Sequence, residues 1–128
     1  MREEEPLPKV EEGVVRRVLP GRALVQTDLG SVSAHVRGAL KGGPRQSVHV
    51  VVVGDRVRIR LHGPEEAWLE EVLPRRNVVS RVDPGDKRGE RRHDLAANLD
   101  QLCVMVSVDR PRFNPRGVDR LLVLGEFS

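Results

Sequence analysis

Hydrophobic and polar residues alternate in short runs through the first part of the chain. Val14–Leu19 is closed by Pro20-Gly21, a turn signal, and Arg22–Thr27 by Asp28-Leu29-Gly30. Ser31–Arg37 sets Val32, Ala34 and Val36 on one face and Ser33, His35 and Arg37 on the other. Gly38–Gln46 holds three glycines and a proline and reads as a loop. A Val-rich run, Val48–Val53, is broken by Gly54-Asp55. Arg56–Leu61 then alternates, with Val57, Ile59 and Leu61 inward and Arg56, Arg58 and Arg60 outward. His62-Gly63-Pro64 turns the chain, and Ala67–Leu73 gives a last strand before Pro74. Five short strands joined by Gly/Pro turns, with no helical periodicity among them, predict a mainly β domain over residues 13–74. A five-stranded Greek-key barrel of the OB type fits the strand count and length, and an SH3-like barrel fits the pattern nearly as well.

The pattern changes class on either side of that region. Residues 1–12 are acidic, contain Pro6 and Pro8, and read as a tail. Residues 75–101 read as a basic linker, with few apolar positions between Val82 and Leu95. Residues 102–128 open with Leu102–Val108, an almost unbroken apolar run that suits a strand covered on both faces. Asn114-Pro115 is an N-cap followed by proline at the first helical position, and Val118, Leu121, Leu122 and Gly125 share one helical face. A strand followed by a helix begins an α/β domain but cannot close a core alone. The sequence reaches Ser128 inside that helix, so the expectation is a β-α stub of a truncated domain.

Charge sharpens the picture. The formal net charge is only +3, but residues 13–61 carry a net +7 and residues 75–93 a net +4, mostly from arginine. Arginine's planar fork grips phosphate oxygens in pairs, so two such blocks point to a polyanionic partner. The candidates are Arg16, Arg17 and Arg22 around the Pro20-Gly21 turn, Arg37 and Lys41 at the glycine-rich loop, the stripe Arg56, Arg58 and Arg60, and Arg75 with Arg76 at the head of the linker. Along the stripe the spacing is roughly 7 Å, close to that of successive phosphates. Trp68 is the one tryptophan and tyrosine is absent, so a multi-base stacking platform is not expected. Binding through phosphates and shape, to folded or duplex RNA, is the consistent mode.

Other chemistry is excluded by spacing. Cys103 lies in an apolar run and reads as a buried, inert thiol. His35, His49, His62 and His93 are scattered without ligand partners, and Glu65, Glu66, Glu70 and Glu71 form a solvated acidic edge. No catalytic or metal-binding residues are assigned. A start without an apolar core, no long apolar run and a single cysteine lead to the expectation of a cytoplasmic protein with no membrane partner.

Gly13-Val-Val-Arg-Arg-Val-Leu, Arg37-Gly38-Ala39-Leu40-Lys41 and Val53-Gly54-Asp55-Arg56-Val57 resemble the N-terminal OB domain of the RsgA family of small-ribosomal-subunit biogenesis GTPases. Leu73-Pro74-Arg75-Arg76-Asn77 with Ser80-Arg81 is similar to the link out of that domain. Ala96-Ala97-Asn98-Leu99-Asp100-Gln101, Pro111–Asn114 and Val118–Leu122 resemble the start of the family's circularly permuted GTPase domain. The resemblance implies docking on the 30S subunit and its 16S rRNA near the decoding region, without DNA specificity. It also implies GTP, magnesium and zinc in regions that this sequence lacks. No Gly-x-x-x-x-Gly-Lys-[Ser/Thr] cradle occurs here, so the chain by itself is expected to be inactive as a GTPase. Two alternatives stay open: a protein-interaction barrel whose basic face meets an acidic partner, and a GTPase part that works only when joined to the missing region.

Overall fold

A computed structural model of the chain describes residues 9–41, 51–63, 65–82, 85, 87, 88 and 92–126. Its elements are β1 (Lys9–Leu19), β2 (Arg22–Thr27), β3 (Gly30–Lys41), β4 (Arg56–Leu61), β5 (Ala67–Val72), β6 (Val78–Val82), β7 (Arg92–Ala97) and α1 (Pro115–Glu126). The first five close a barrel in the order β1-β2-β3-β5-β4, with β3 and β5 parallel and the other pairs antiparallel. This is the predicted mainly β, five-stranded Greek-key barrel.

Closure depends on β1, which pairs through Lys9–Val14 with β4 and through Gly13–Leu19 with β2. A bulge between Val15 and Arg17 lies just past the overlap, and such an extra residue bends a strand and raises its twist. Gly13 sits at the crossing, where an added Cβ would come within 2.5 Å of Val25 Cγ1 and 2.7 Å of the Gln26 carbonyl oxygen. Few strands make a narrow barrel, so its interior takes small and branched residues. Val15, Ala23, Val25, Ala34, Val57, Ile59, Ala67, Leu69 and Val72 fill it. The inward set predicted on β4 is buried at Val57 and Ile59, with Leu61 packed partly against the core. At the β2–β3 turn, the Thr27 hydroxyl donates to the Gly30 carbonyl and accepts from the Leu29 amide, holding the hairpin.

Five segments differ from the sequence reading. Gly38–Lys41, assigned to the loop Gly38–Gln46, continue β3, with Lys41 in register with Glu71. Lys9–Glu12, assigned to the acidic tail, form the first part of β1 and pair with β4. The linker assigned to 75–101 contains a two-stranded sheet of β6 and β7, in register from Val78↔Ala97 to Val82↔Arg92. Leu102–Val108 makes no ladder, and Met105 and Val108 are 88% and 86% exposed. An apolar run becomes a strand only where a neighbour accepts its hydrogen bonds, and this run pairs with no described strand. Cys103 in this run is accordingly exposed rather than buried. Of the run Val48–Val53, residues 48–50 lie outside the described residues. Val51 and Val52 are buried without strand pairing, and Val53 forms an isolated bridge to Ala96. The helix starts as predicted, with Asn114 Oδ1 accepting from the amides of Arg116 and Gly117.

Candidate nucleic-acid interface

The predicted cationic residues separate into three kinds once their surroundings are described. Arg56, Arg58 and Arg60 point outward from β4, as alternation requires, but β4 lies between two strands that supply acids. Arg56 Nη2 is 3.7 Å from Glu12 Oε2, and Arg58 Nε is 3.3 Å from Glu12 Oε1. Arg58 Nη1 is 3.1 Å from Glu71 Oε2, and Arg60 Nη2 is 2.6 Å from Glu70 Oε1. The ladder accounts for the Arg58 pairings, because Glu12 and Glu71 are its direct cross-strand partners. The expected row of free charges is therefore a neutralised stripe. Exposed pairs of this kind contribute about 0–1 kcal/mol each, so they cancel field more than they add stability.

Arg75 is a structural residue, contrary to its assignment as a phosphate ligand. Its Nε and Nη2 donate to Asp55 Oδ1 and Oδ2 at 2.7 and 2.9 Å, and its Nη1 donates to Asp94 Oδ2 at 2.6 Å. Asp55 and Asp94 are both buried, and Asp55 Oδ2 also accepts from the Val52 amide. Burial pulls the Arg75 pKa down, but the hydrogen bonds and charges of Asp55 and then Asp94 outweigh it and hold it above its ordinary value. The residue joins the barrel end at Asp55 to β7 at Asp94. Arg76 joins the same seam: its amide donates to Asn98 Oδ1, and its Nη2 donates to the Asn98 carbonyl and to Asp100 Oδ1. Asn77 exchanges two hydrogen bonds with the Leu99 backbone, and Asn98 Nδ2 donates to the Gly54 carbonyl. Gly54, at φ +94, lies so close that an added Cβ would be 1.9 Å from the Ala97 oxygen. Gly54-Asp55, Arg75-Arg76-Asn77 and Asn98-Leu99-Asp100 thus form one clasp between barrel and small sheet.

Arg16, Arg17, Arg22 and Arg37 are exposed and make no ion pair with a described residue. Arg16 is the extra residue of the β1 bulge, Arg17 faces Leu24, and Arg22 opens β2 after the Pro20-Gly21 turn, where Gly21 takes φ +70. The Val36 amide donates to the Gly21 carbonyl at 3.0 Å and anchors this turn against β3. Lys41 ends β3 in register with Glu71.

A second feature of this face was not read from the sequence. Across the ladders, Arg22 is partnered by His35, and His35 by Trp68. Direct partners project on the same side, so these three side chains lie together on the barrel exterior. The His35 and Trp68 ring centroids are 4.7 Å apart at 31°, and Arg37 Cζ lies 4.4 Å from the Trp68 ring centre. Trp68 Nε1 donates to Glu66 Oε1 at 3.0 Å. The shared face of His35 and Arg37 is legible in the sequence, but the parallel pairing of β3 with β5 that brings Trp68 beside them is not.

Among the described residues no group of three His, Cys, Asp or Glu is placed to hold a metal ion, and no helix is long and apolar enough to cross a membrane.

No family model matches the chain. Among curated proteins, it is 38% identical over 117 residues to the small ribosomal subunit biogenesis GTPase RsgA of Gemmatimonas aurantiaca, covering 89% of this chain and 37% of that protein. The protein of the same name from Leptospira interrogans is 32% identical over 126 residues, covering 94% and 33%. That from Bacteroides fragilis is 34% identical over 103 residues, covering 80% and 33%. The chain spans about a third of the length of these relatives. The crystal structure of YloQ, a circularly permuted GTPase, matches with a TM-score of 0.54 at 24% identity, covering 91% of this chain and 36% of that one. Agreement at that identity speaks for the fold.

Proposed function

On the premise that the chain belongs to the RsgA family of small ribosomal subunit biogenesis GTPases, of whose members it spans about a third, we propose that it is the part that grips ribosomal RNA of the small subunit. The observation that carries this reading is that Arg16, Arg17, Arg22 and Arg37, on one hairpin and its neighbouring strand, make no ion pair with a described residue. Elsewhere on the described barrel, arginines meet the protein's own carboxylates. Guanidiniums without internal partners can each neutralise a backbone phosphate and release its condensed counterions, which is the main source of affinity for structured RNA. GTP binding and hydrolysis then fall to regions outside this sequence, since it has no glycine-rich phosphate cradle. A partner of this kind places the protein in the cytoplasm.

The test compares two sets of substitutions for binding to labelled 16S rRNA fragments. Arg16→Glu/Arg17→Glu/Arg22→Glu weakens binding about tenfold or more, because three attractive contacts become repulsive. Arg56→Ala/Arg58→Ala/Arg60→Ala changes it by less than about threefold, since those charges are already satisfied. The reverse ranking would overturn the proposal. Binding to an acidic protein in preference to RNA, with RNA failing to compete, would favour the protein-interaction reading instead.

A further inference from the structure

We infer that the outer face of β3 and β5 holds one unpaired nucleobase, stacked on the Trp68–His35–Arg37 cluster, with Arg22 beside it for the adjoining phosphate. This rests on the RNA reading above and narrows it to RNA that carries an extruded or loop base next to a helical segment.

Three observations converge on that ligand. First, the barrel interior is filled by aliphatic side chains, while the chain's one tryptophan sits on the exterior and keeps part of its surface open to solvent. Second, the ring is held in place: Trp68 Nε1 donates to Glu66 Oε1, the His35 ring lies against it at 4.7 Å, and Arg37 Cζ is 4.4 Å from its centre. A ring fixed in advance loses little freedom when a base docks. Third, no acid among the described residues neutralises the cations at this face: Arg22 and Arg37 are exposed and make no ion pair with a described residue, Arg37 lying over the Trp68 ring instead. Nucleobases stack on indole and imidazole rings and on guanidinium planes alike, while phosphates seek the guanidinium edge. The cluster offers both within one cross-strand row.

The same geometry excludes a plain duplex at this point. Bases inside an A-form helix are stacked on one another and offer no free face to an exterior tryptophan. A bulged or loop base does. Stacking of this kind tolerates any base, so the preference is for the unpaired state rather than for sequence.

Trp68 reports on its own occupancy, because no other tryptophan contributes to the emission. The 128-residue chain is titrated with a perfect RNA duplex and with the same duplex carrying one bulged nucleotide. The bulged RNA is expected to quench Trp68 fluorescence and to bind roughly 5- to 150-fold more tightly, the range that one stacked base supports. Trp68→Leu removes that advantage, and so does Arg37→Ala, which keeps the fluorophore. Circular dichroism checks that both variants keep the barrel. Equal affinity for the two RNAs with unchanged emission overturns the stacking site while leaving the backbone grip intact. Failure of both RNAs to bind overturns the stacking site and the RNA reading together.

Discussion

Single residues in this chain divide sharply by whether their charge is spent inside the molecule. Arg75 and Arg60 are both arginines in contact with carboxylates, yet their energetics differ. Arg75 sits between two buried aspartates, so Arg75→Ala leaves uncompensated negative charge out of water and costs about 3–5 kcal/mol in urea unfolding. Arg60→Ala breaks a half-exposed pair and costs about 1 kcal/mol or less in the same assay. The raised pKa of Arg75 means the stability it lends is fully present below the ordinary arginine value and is lost only as pH rises beyond it. Unfolding curves between neutral pH and pH 9 should therefore show no loss traceable to this group. Gly54 is tested differently. Gly54→Ala meets both a positive φ and the Ala97 carbonyl, so it costs on the order of 3 kcal/mol and loosens the clasp. A Gly54→Ala protein with unchanged unfolding midpoint would mean the seam is not closed in solution.

The elements that were legible in the sequence are those whose partners do not matter to the reading. Val57, Ile59 and Leu61 alternate with arginines, and β4 falls at Arg56–Leu61 as predicted. Asn114-Pro115 marks the helix start by local chemistry alone, and α1 begins there. What failed was non-local. Acidic Lys9–Glu12 looks like a tail until it is set beside β4, whose arginines match its charge. Val78–Val82 is short and its partner Arg92–Ala97 is polar at its start, so neither announces a sheet alone; they pair beside the clasp, where the buried Asp94 meets Arg75. Leu102–Val108 has strand composition but no described neighbour to pair with. At the site, alternation put Arg56, Arg58 and Arg60 outward correctly but could not reveal Glu70 and Glu71 across the ladder. The helix has its own test. Since α1 buries no residue, its amides should exchange within seconds while those of Val25, Ile59 and Leu69 stay protected. Asn114→Ala should lower helical circular dichroism, costing about 1 kcal/mol locally, without moving the barrel's unfolding midpoint.

At the scale of the whole molecule, a net charge of +3 conceals an uneven field. The β4 side of the barrel is cancelled by Glu12, Glu70 and Glu71, and the seam to the small sheet by Asp55, Asp94 and Asp100. Positive charge that no described acid pairs with is left around the β1–β2 hairpin and Arg37. The motifs that relate this chain to the RsgA proteins therefore serve two ends. Gly54-Asp55, Arg75-Arg76-Asn77 and Asn98 hold the two sheets together, and Arg16, Arg17 and Arg37 face outward. The most direct test is the slope of log affinity against log salt for a 16S rRNA fragment. If hairpin arginines each displace a counterion, the slope is about −3 and flattens by about 2 or more in Arg16→Ala/Arg17→Ala/Arg22→Ala. A slope near zero, or one that this triple substitution leaves unchanged, would contradict the account.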